Sequence, residues 1–283
     1  MTGEAVSAVA AAFEKAAAQD RAALVGYVPA GFPTVPGAIE AIVAMAEAGV
    51  DVVEIGLPYS DPVIDGPVIQ EAVHRALTGG VRVADVLRTV EAVARAGVPV
   101  LVMTYWNPVD RYGVAAFARD LAGAGGSGLI TPDLAPEEAQ PWLDAAAGYN
   151  LDPVFLVAPS SSDGRIGLIT SACRGFVYAA SLMGVTGTRR IVGTQAAGLV
   201  RRVRAHTRLP IAVGLGVRDQ AQAAEVAGFA DGVVVGSAFV QRLLSAPDPA
   251  AGLAQVRALA AELAEGVRGV AGDRHPAAGL QGR

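Results

Sequence analysis

Cysteine and histidine are scarce in this 283-residue chain, and their scarcity limits the chemistry it can perform. A single cysteine, Cys173, excludes an intrachain disulfide and a metal site built from cysteines. The three histidines, His74, His206 and His275, are scattered along the sequence, and none has a partner at metal-ligand spacing. We therefore expect no bound metal.

Lysine is scarcer still, because Lys15 is the only one in the chain. It lies in a predicted N-terminal helix ahead of the first strand, which is a poor position for a Schiff base or for binding pyridoxal phosphate (PLP). Any carbon–carbon or carbonyl chemistry must then depend on carboxylates, hydroxyls and backbone groups.

Long apolar runs and an excess of positive charge are also missing. Although 52% of the residues are hydrophobic, no run approaches the roughly 18–20 residues that a membrane span needs. The formal net charge of −5 gives no electrostatic footprint for nucleic acid. The N-terminal segment lacks the pattern of a signal peptide. We expect a soluble, cytoplasmic protein.

Short β-branched runs alternate along the chain with Ala-rich segments of helical period, which predicts parallel strands joined by right-handed crossovers. Eight such units in about 250 residues match a (β/α)8 TIM barrel. We expect one domain over residues 1–268 with an extra N-terminal helix, followed by a flexible tail over 269–283. The predicted strands are Ala23–Val28, Val52–Leu57, Val98–Thr104, Gly128–Thr131, Pro153–Val157, Gly175–Ala179, Pro210–Gly214 and Gly232–Val235.

The main rival fold is a doubly wound open sheet. It is disfavoured because GYVPAGFP (26–33) follows the first strand, where a dinucleotide fold has G-x-G-x-x-G. The predicted helices are Pro36–Ala48, Gly66–Leu77, Val83–Ala96, Gly113–Ala124, Pro136–Ala147, Gln195–Ala205, Asp219–Ala227, Ser237–Leu244 and Gly252–Gly266.

Three acids occur in or just after the second strand, in a loop stiffened by prolines. Glu54 faces the barrel interior by strand alternation and lies near the carboxyl end, where barrels carry their active sites. Burial would raise its pKa and suit it to proton transfer; the alternative is a salt bridge to an arginine. Asp61 and Asp65 follow in the loop, where acids also form turns, and Asp65 is placed to cap the next helix.

Glycine-rich segments follow the last three strands. Gly214–Gly216 and Gly236-Ser237 lie where the seventh and eighth loops of a barrel often bind phosphate, although strand-ending glycines are also common. Met183–Gly193 has the composition of a mobile lid in which Thr186 reaches a substrate; a plain surface loop is the alternative.

Aromatic residues make up only 5% of the chain, but several fall at strand ends, among them Tyr27, Tyr105 and Tyr178. Rings in these places favour an apolar pocket for a flat hydrophobic ligand, although each ring alone is also explained by packing at the barrel rim.

The segment VEIGLPYSDPVIDGPVIQ (Val53–Gln70) closely resembles the signature of the tryptophan synthase α subunit family. YVPAGFP, MTYWNP, ITPDL, GFVYAASLMGVTGTR, VGLGV and DGVVVGSAFV follow the family's order, so the resemblance covers about Ala22 to Leu244. The chain departs from many members at Pro29, Phe32 and Leu182, where those have threonine, aspartate and arginine.

The resemblance implies a (β/α)8 lyase that cleaves indole-3-glycerol phosphate to indole and glyceraldehyde 3-phosphate without metal or organic cofactor. Glu54 matches the family's catalytic glutamate and Asp65 its indole-contacting aspartate. The resemblance also implies an α2β2 complex with a β subunit that carries PLP. Matched substrate positions are Tyr178, Thr186, Gly187, Gly216, Gly236 and Ser237. Matched positions near the β subunit are Asp61, Asn107, Pro108, Pro132 and Asp133.

Three other functions stay open. The chain could be a stand-alone indole-releasing lyase, or a weakly active subunit that chiefly activates its β partner. A phosphosugar isomerase or epimerase on the same barrel would also bind phosphate at loops seven and eight, but the tyrosine-lined pocket favours an aromatic substrate.

Overall fold

A computed structural model describes residues 7–180 and 189–268. In that part of the chain eight parallel strands pair in sequence order, and the last pairs with the first, so that the sheet closes. The predicted (β/α)8 barrel is confirmed. The strands are β1 Ala23–Pro29, β2 Val52–Gly56, β3 Val100–Met103, β4 Gly128–Thr131, β5 Asp152–Val157, β6 Val177–Ala180, β7 Ile211–Gly214 and β8 Gly232–Val235.

All eight predicted strands are present, and β4 and β8 have the predicted ends. The strands are easy to locate because both faces of a barrel strand are buried, so valine and isoleucine occupy consecutive positions. The helices of the described residues are α1 Ala8–Ala17, α2 Val35–Glu47, α3 Pro67–Thr78, α4 Val83–Ala94, α5 Trp106–Tyr112, α6 Val114–Gly123, α7 Gln140–Gly148, α8 Asp163–Ala172, α9 Arg189–Arg204, α10 Gln220–Ala227, α11 Ser237–Ser245 and α12 Pro249–Gly266.

Four helices differ from the prediction. The helices α5 and α8 were not predicted, because one contains Pro108 and the other two glycines. Pro136–Ala147 is wrong as a single helix, since a 3-10 turn over Pro136–Glu138 precedes α7. The helix α9 begins at Arg189, within the segment predicted to be a lid.

Two hydrophobic layers line the two faces of the barrel wall. Val53 and Ile55 of β2 belong to the large core between strands and helices, whereas Val52 belongs to the barrel interior. Glu54 therefore faces inward, as predicted. The helix α1 plugs the amino end of the barrel, where Phe13 packs against Phe176 with ring centroids 5.2 Å apart.

The position of α1 also decides the role of Lys15, which is exposed on that helix at the end of the barrel away from Glu54.

No helix of the described residues is long and apolar enough to cross a membrane. Thr186, Gly187 and Leu182, with the predicted tail 269–283, lie outside the described residues.

Candidate active site

Glu54 is completely buried inside the barrel, with an exposed fraction of 0%. Neither oxygen of its carboxyl group has a hydrogen-bond partner, and no ion pair to it occurs in the part of the chain that the structure describes. The alternative of a salt bridge to an arginine is therefore not what the structure shows. Burial raises the pKa of Glu54 from 4.5 to about 8, so the acid is protonated at neutral pH.

Two tyrosine side chains enclose this carboxyl group on the side of the strand ends. Tyr27 is the register neighbour of Glu54 on β1. A Cβ atom on Gly56 would lie 2.2 Å from the Tyr27 hydroxyl, so this side chain crosses β2 one inward position above Glu54. Burial raises the pKa of both Tyr27 and Tyr178 well above the usual value, and the nearby Glu54 carboxyl raises both further.

Asp65 lies in the loop between β2 and α3 and is half-buried. It does not cap the helix, because Gly66 is the residue at the N-cap position and no side chain accepts a capping hydrogen bond there. Burial raises the pKa of Asp65 from 3.8, and the Tyr105 hydroxyl opposes that rise by donating toward the carboxylate. The acid therefore faces the tyrosines and leaves the helix end uncapped.

An open cleft lies at the carboxyl end of the barrel. Its walls combine tyrosine rings and apolar side chains with the one carboxyl group of Asp65, which is the composition of a small-molecule site. The lining residues are Tyr27, Leu57, Tyr59, Asp65, Val73, Met103, Thr104, Tyr105 and Pro132. Glu54 lies just below this lining, behind Tyr27.

The predicted phosphate-binding residues lie on the loops after β7 and β8. Gly216 has a φ of +70°, a conformation that favours glycine. Gly236 occupies the N-cap position of α11, and Ser237 begins that helix with its amide group unused by the helix itself. Gly236 also has a packing role, because a Cβ atom there would lie 3.1 Å from the Tyr27 ring. Phosphate binding at these residues stays a prediction.

The five residues predicted to face a partner follow β2, β3 and β4, which are adjacent strands. Asp61, Pro132 and Asp133 lie in loops, whereas Asn107 and Pro108 lie in the first turn of α5. Asp61, Asn107 and Asp133 are exposed, while Pro108 and Pro132 are half-buried. They form one accessible rim beside the cleft. Their role in an interface stays a prediction.

Several residues of this region were not singled out from the sequence. Tyr59 packs against the tilted ring of Tyr105 with ring centroids 5.5 Å apart, and its hydroxyl accepts a 3.0 Å hydrogen bond from the Asn107 side chain. Val63 and Ile64 are apolar yet 86% and 43% exposed, beside Asp61. All three lie within the segment Val53–Gln70. The sequence signal for an exposed apolar surface was the pair Val63 and Ile64, which stands in a loop between Asp61 and Asp65.

The described residues hold no group of three histidine, cysteine, aspartate or glutamate side chains that could bind a metal ion. Cys173 is buried. The polar chemistry of the site therefore rests on Glu54, Asp65 and the surrounding phenols.

Comparison with known proteins agrees with this geometry. The family model described as "Tryptophan synthase alpha chain" matches residues 13–268. The tryptophan synthase alpha chain of Salinispora arenicola is 63% identical over 263 residues, which are 93% of this chain and 98% of that protein. That of Streptomyces coelicolor is 64% identical over 257 residues, 90% of this chain and 95% of that protein.

Solved structures show the same relation. A structure of Mycobacterium tuberculosis tryptophan synthase superposes with a TM-score of 0.87 at 55% identity and covers 93% of this chain and 99% of that one. The alpha subunit from Legionella pneumophila superposes with a TM-score of 0.84 at 32% identity, with the same coverage.

Proposed function

The chain belongs to the tryptophan synthase alpha chain family, and on that premise we propose that Glu54 and Asp65 carry the family's chemistry. The reaction is the retro-aldol cleavage of indole-3-glycerol phosphate to indole and glyceraldehyde 3-phosphate, a lyase step of tryptophan biosynthesis. The observation that carries the proposal is the unpaired, buried carboxyl group of Glu54 beneath a cleft whose wall bears a second carboxyl group, Asp65.

The cleavage needs a proton donor, because indole C3 is a poor carbanion. Protonation of C3 makes an indolenine whose nitrogen takes the electron pair of the breaking carbon–carbon bond. Glu54, with a pKa of about 8, holds the required proton at neutral pH. Once it has donated that proton it is a carboxylate, and it then accepts the proton of the hydroxyl group on the carbon that becomes the aldehyde.

Asp65 has the opposite task in this mechanism. As a carboxylate it accepts the indole N–H and stabilises the positive charge that grows on that nitrogen. Its place in a half-buried loop, with the Tyr105 hydroxyl donating toward it, favours the ionised form relative to Glu54. Two carboxyl groups whose environments separate their pKa values in this way are typical of an acid and a base that work together.

The family reaction uses no organic cofactor, and PLP belongs to the β subunit, which is the partner of this chain. Substrate phosphate would bind at Gly216, Gly236 and Ser237, where unused amide groups and the N-terminus of α11 supply positive potential. A cytoplasmic location is part of the same proposal, since the one cysteine is unpaired.

The test is indole release from indole-3-glycerol phosphate by the isolated chain, repeated with a β subunit added. We expect Glu54→Gln and Asp65→Asn each to lower kcat by at least ~10²-fold, as for other lost acid–base groups. Near-normal turnover in either variant would show that its assigned role is wrong. Release by the unmodified chain alone at a rate comparable with that in the presence of the β subunit would also argue against a weakly active subunit that chiefly activates its partner.

A matched control for Glu54→Gln is Asp152→Asn, which neutralises another fully buried acid at the amino end of the barrel. Its pKa is also raised by burial, although Asp152, unlike Glu54, forms an ion pair with Arg174 at 3.6 Å. Asp152→Asn should leave kcat within about twofold. A comparable loss in both variants would mean that the loss reflects folding rather than proton transfer.

We propose further that the β subunit docks on the rim formed by Asp61, Asn107, Pro108, Pro132 and Asp133. The exposed side chains of Val63 and Ile64 extend this rim with apolar surface, which is unusual on a free surface loop and typical of an interface. Val63→Asp should raise the β-subunit concentration needed for half-maximal activation by ~10-fold or more. Leu168→Asp, which changes an exposed leucine on α8, should leave that concentration unchanged. Equal effects of the two substitutions would show that the rim is not part of the interface.

A further inference from the structure

Tyr105 joins two loops at the mouth of the barrel. It precedes α5 after strand β3, whereas its hydroxyl group reaches the loop after β2. There it accepts the amide N–H of Ile64 with an N–O distance of 3.0 Å. The same hydroxyl faces the carboxyl group of Asp65, the next residue, and lowers the pKa of that group.

The chemistry of a phenol explains why these two partners are compatible. A tyrosine hydroxyl has one proton to donate and lone pairs with which to accept. The Ile64 amide uses a lone pair, and the proton is free to point at the Asp65 carboxylate. One hydroxyl group therefore holds the backbone before Asp65 and can present its proton to the acid.

Tyr105 is itself held in place by groups from other loops. The amide of Trp106, the next residue, donates to the Asp133 carboxylate at 2.9 Å, which fixes the start of α5 to the loop after β4. The Tyr105 ring packs against the tilted ring of Tyr59, and only 7% of Tyr105 is exposed. The ring still forms part of the cleft wall, but its hydroxyl group is already engaged within the protein.

We propose that Tyr105 is a positioning residue, which holds Asp65 where its carboxylate meets the indole N–H, and that it acts through Asp65 rather than through contact with the substrate. The inference rests on the proposed function, because it takes Asp65 as the group that stabilises charge on indole. It differs from the prediction that Tyr105 is a substrate-binding residue, which stays a prediction. It also gives Asp133 a mechanical link to the site, through Trp106 and Tyr105.

The test is Tyr105→Phe, assayed by indole release over a range of pH. Loss of a hydrogen bond to a charged group should lower kcat by about 10- to 100-fold and change KM by less than about threefold. The acid limb of the rate profile should move to higher pH, because the hydroxyl that lowers the pKa of Asp65 is gone. A higher KM with unchanged kcat and an unmoved acid limb would show substrate contact instead and overturn the inference.

Tyr112→Phe is the matched control. Tyr112 lies at the end of the same helix, and its hydroxyl also donates to an aspartate, Asp120, at 2.7 Å, but on the outer surface. This variant should keep wild-type kinetics and an unmoved acid limb. A lower melting temperature of Tyr105→Phe with kcat and the acid limb intact would mean that the hydroxyl only stabilises the fold, and would overturn the inference.

A double variant separates failure of the inference from failure of the proposed function. If Tyr105 acts through Asp65, then Tyr105→Phe should lower kcat less than about twofold further when Asp65→Asn is already present. A full additional loss in the double variant would overturn the positioning role while leaving Asp65 catalytic. Near-normal activity of Asp65→Asn alone would instead refute the role of Asp65, and the inference with it.

Discussion

The two ends of the barrel hold their acids in opposite ways. At the amino end, Asp51 binds Arg21 through two hydrogen bonds of 2.6 and 2.7 Å, and Asp231 binds Arg204 at 3.1 Å. At the carboxyl end, neither Glu54 nor Asp65 forms an ion pair within the described residues, and burial raises the pKa of both. Asp152, buried at the amino end, has no hydrogen-bond partner for its carboxyl oxygens but still pairs with Arg174 at 3.6 Å. The amino end therefore pairs its acids with arginines, whereas the carboxyl end leaves its two acids without ion pairs and available for chemistry.

The backbone follows the same division. Four side chains at the amino end accept an amide N–H from the strand before them: Asp51 from Leu24, Ser127 from Val100, Cys173 from Phe155 and Asp231 from Ile211. At the carboxyl end the inward positions Gly56, Gly214 and Gly236 have no side chain, and tyrosine rings occupy their space. Hydrogen bonds between side chains and backbone close the amino end of the barrel, whereas tyrosine rings packed over glycines fill the carboxyl end.

The largest effect is expected from breaking the buried pair at the amino end. Asp51→Ala leaves the Arg21 guanidinium buried without its carboxylate and removes the acceptor of the Leu24 amide. The free energy of unfolding should fall by about 3–5 kcal/mol, as for other buried pairs that lose one partner. Urea denaturation measures it, and indole release by the folded fraction should keep its kcat. A loss below about 1 kcal/mol would mean that this buried pair stabilises the fold no more than a surface ion pair does.

Removing the buried acid Glu54 at the carboxyl end should instead raise the free energy of unfolding. The pKa of Glu54 is raised in the folded state, so this state binds more protons than the unfolded chain between pH 4.5 and about 8. The contribution of Glu54 to stability is therefore most favourable below this window, falls as pH rises through it, and is about 3 kcal/mol less favourable at pH 7. Glu54→Gln removes this cost, so its free energy of unfolding at pH 7 should exceed that of the unmodified chain by an amount of that order.

The pH dependence of the gain identifies its cause. If ionisation of Glu54 is responsible, the gain should shrink as the pH is lowered from 7 to 4.5 in urea melts. A gain that is constant over that range would point to packing. A stabilised but inactive variant would show that the carboxyl end trades stability for function.

A smaller effect concerns the reaction itself. If protonated Glu54 is required, kcat/KM should fall about tenfold per pH unit above its pKa of about 8. Below neutral pH the rate should fall as Asp65 becomes protonated. Indole release between pH 5 and 10 measures both limbs, and a rate that stays flat to pH 10 would mean that Glu54 is not the proton donor.

The contrast between the ends also shows what sequence can and cannot predict. Glu54 was recognisable because strand alternation and burial make one acid among valines conspicuous. The link from Tyr105 to Ile64 was not, because it joins separate loops whose approach depends on the closed barrel. The helix α8 was missed because Gly164 and Gly167 lower helix propensity, and packing of Ile166 and Ile169 against the barrel outweighs it.

The departure at Phe32 has a similar explanation. This phenylalanine is buried with Ile69 and Val73 of α3 and Val240 of α11. The local pattern in the first loop gave no indication of a core position, because the helices that cover it come much later in the chain. Tertiary packing, rather than local propensity, sets the role of this residue.

The smallest effect is expected from an exposed pair, and it separates burial from charge pairing as the source of stability at the amino end. Arg257 on α12 binds Glu47 on α2 at 2.7 Å, about as short a contact as between Arg21 and Asp51, yet both side chains are half exposed. Solvent screening leaves such pairs worth about 0–1 kcal/mol. Glu47→Gln should therefore change the free energy of unfolding by less than about 0.5 kcal/mol in urea melts. A loss comparable to that of Asp51→Ala would mean that ion pairs stabilise this barrel whether they are buried or exposed. The two ends of the barrel would then differ in the number of their ion pairs rather than in the burial of those pairs.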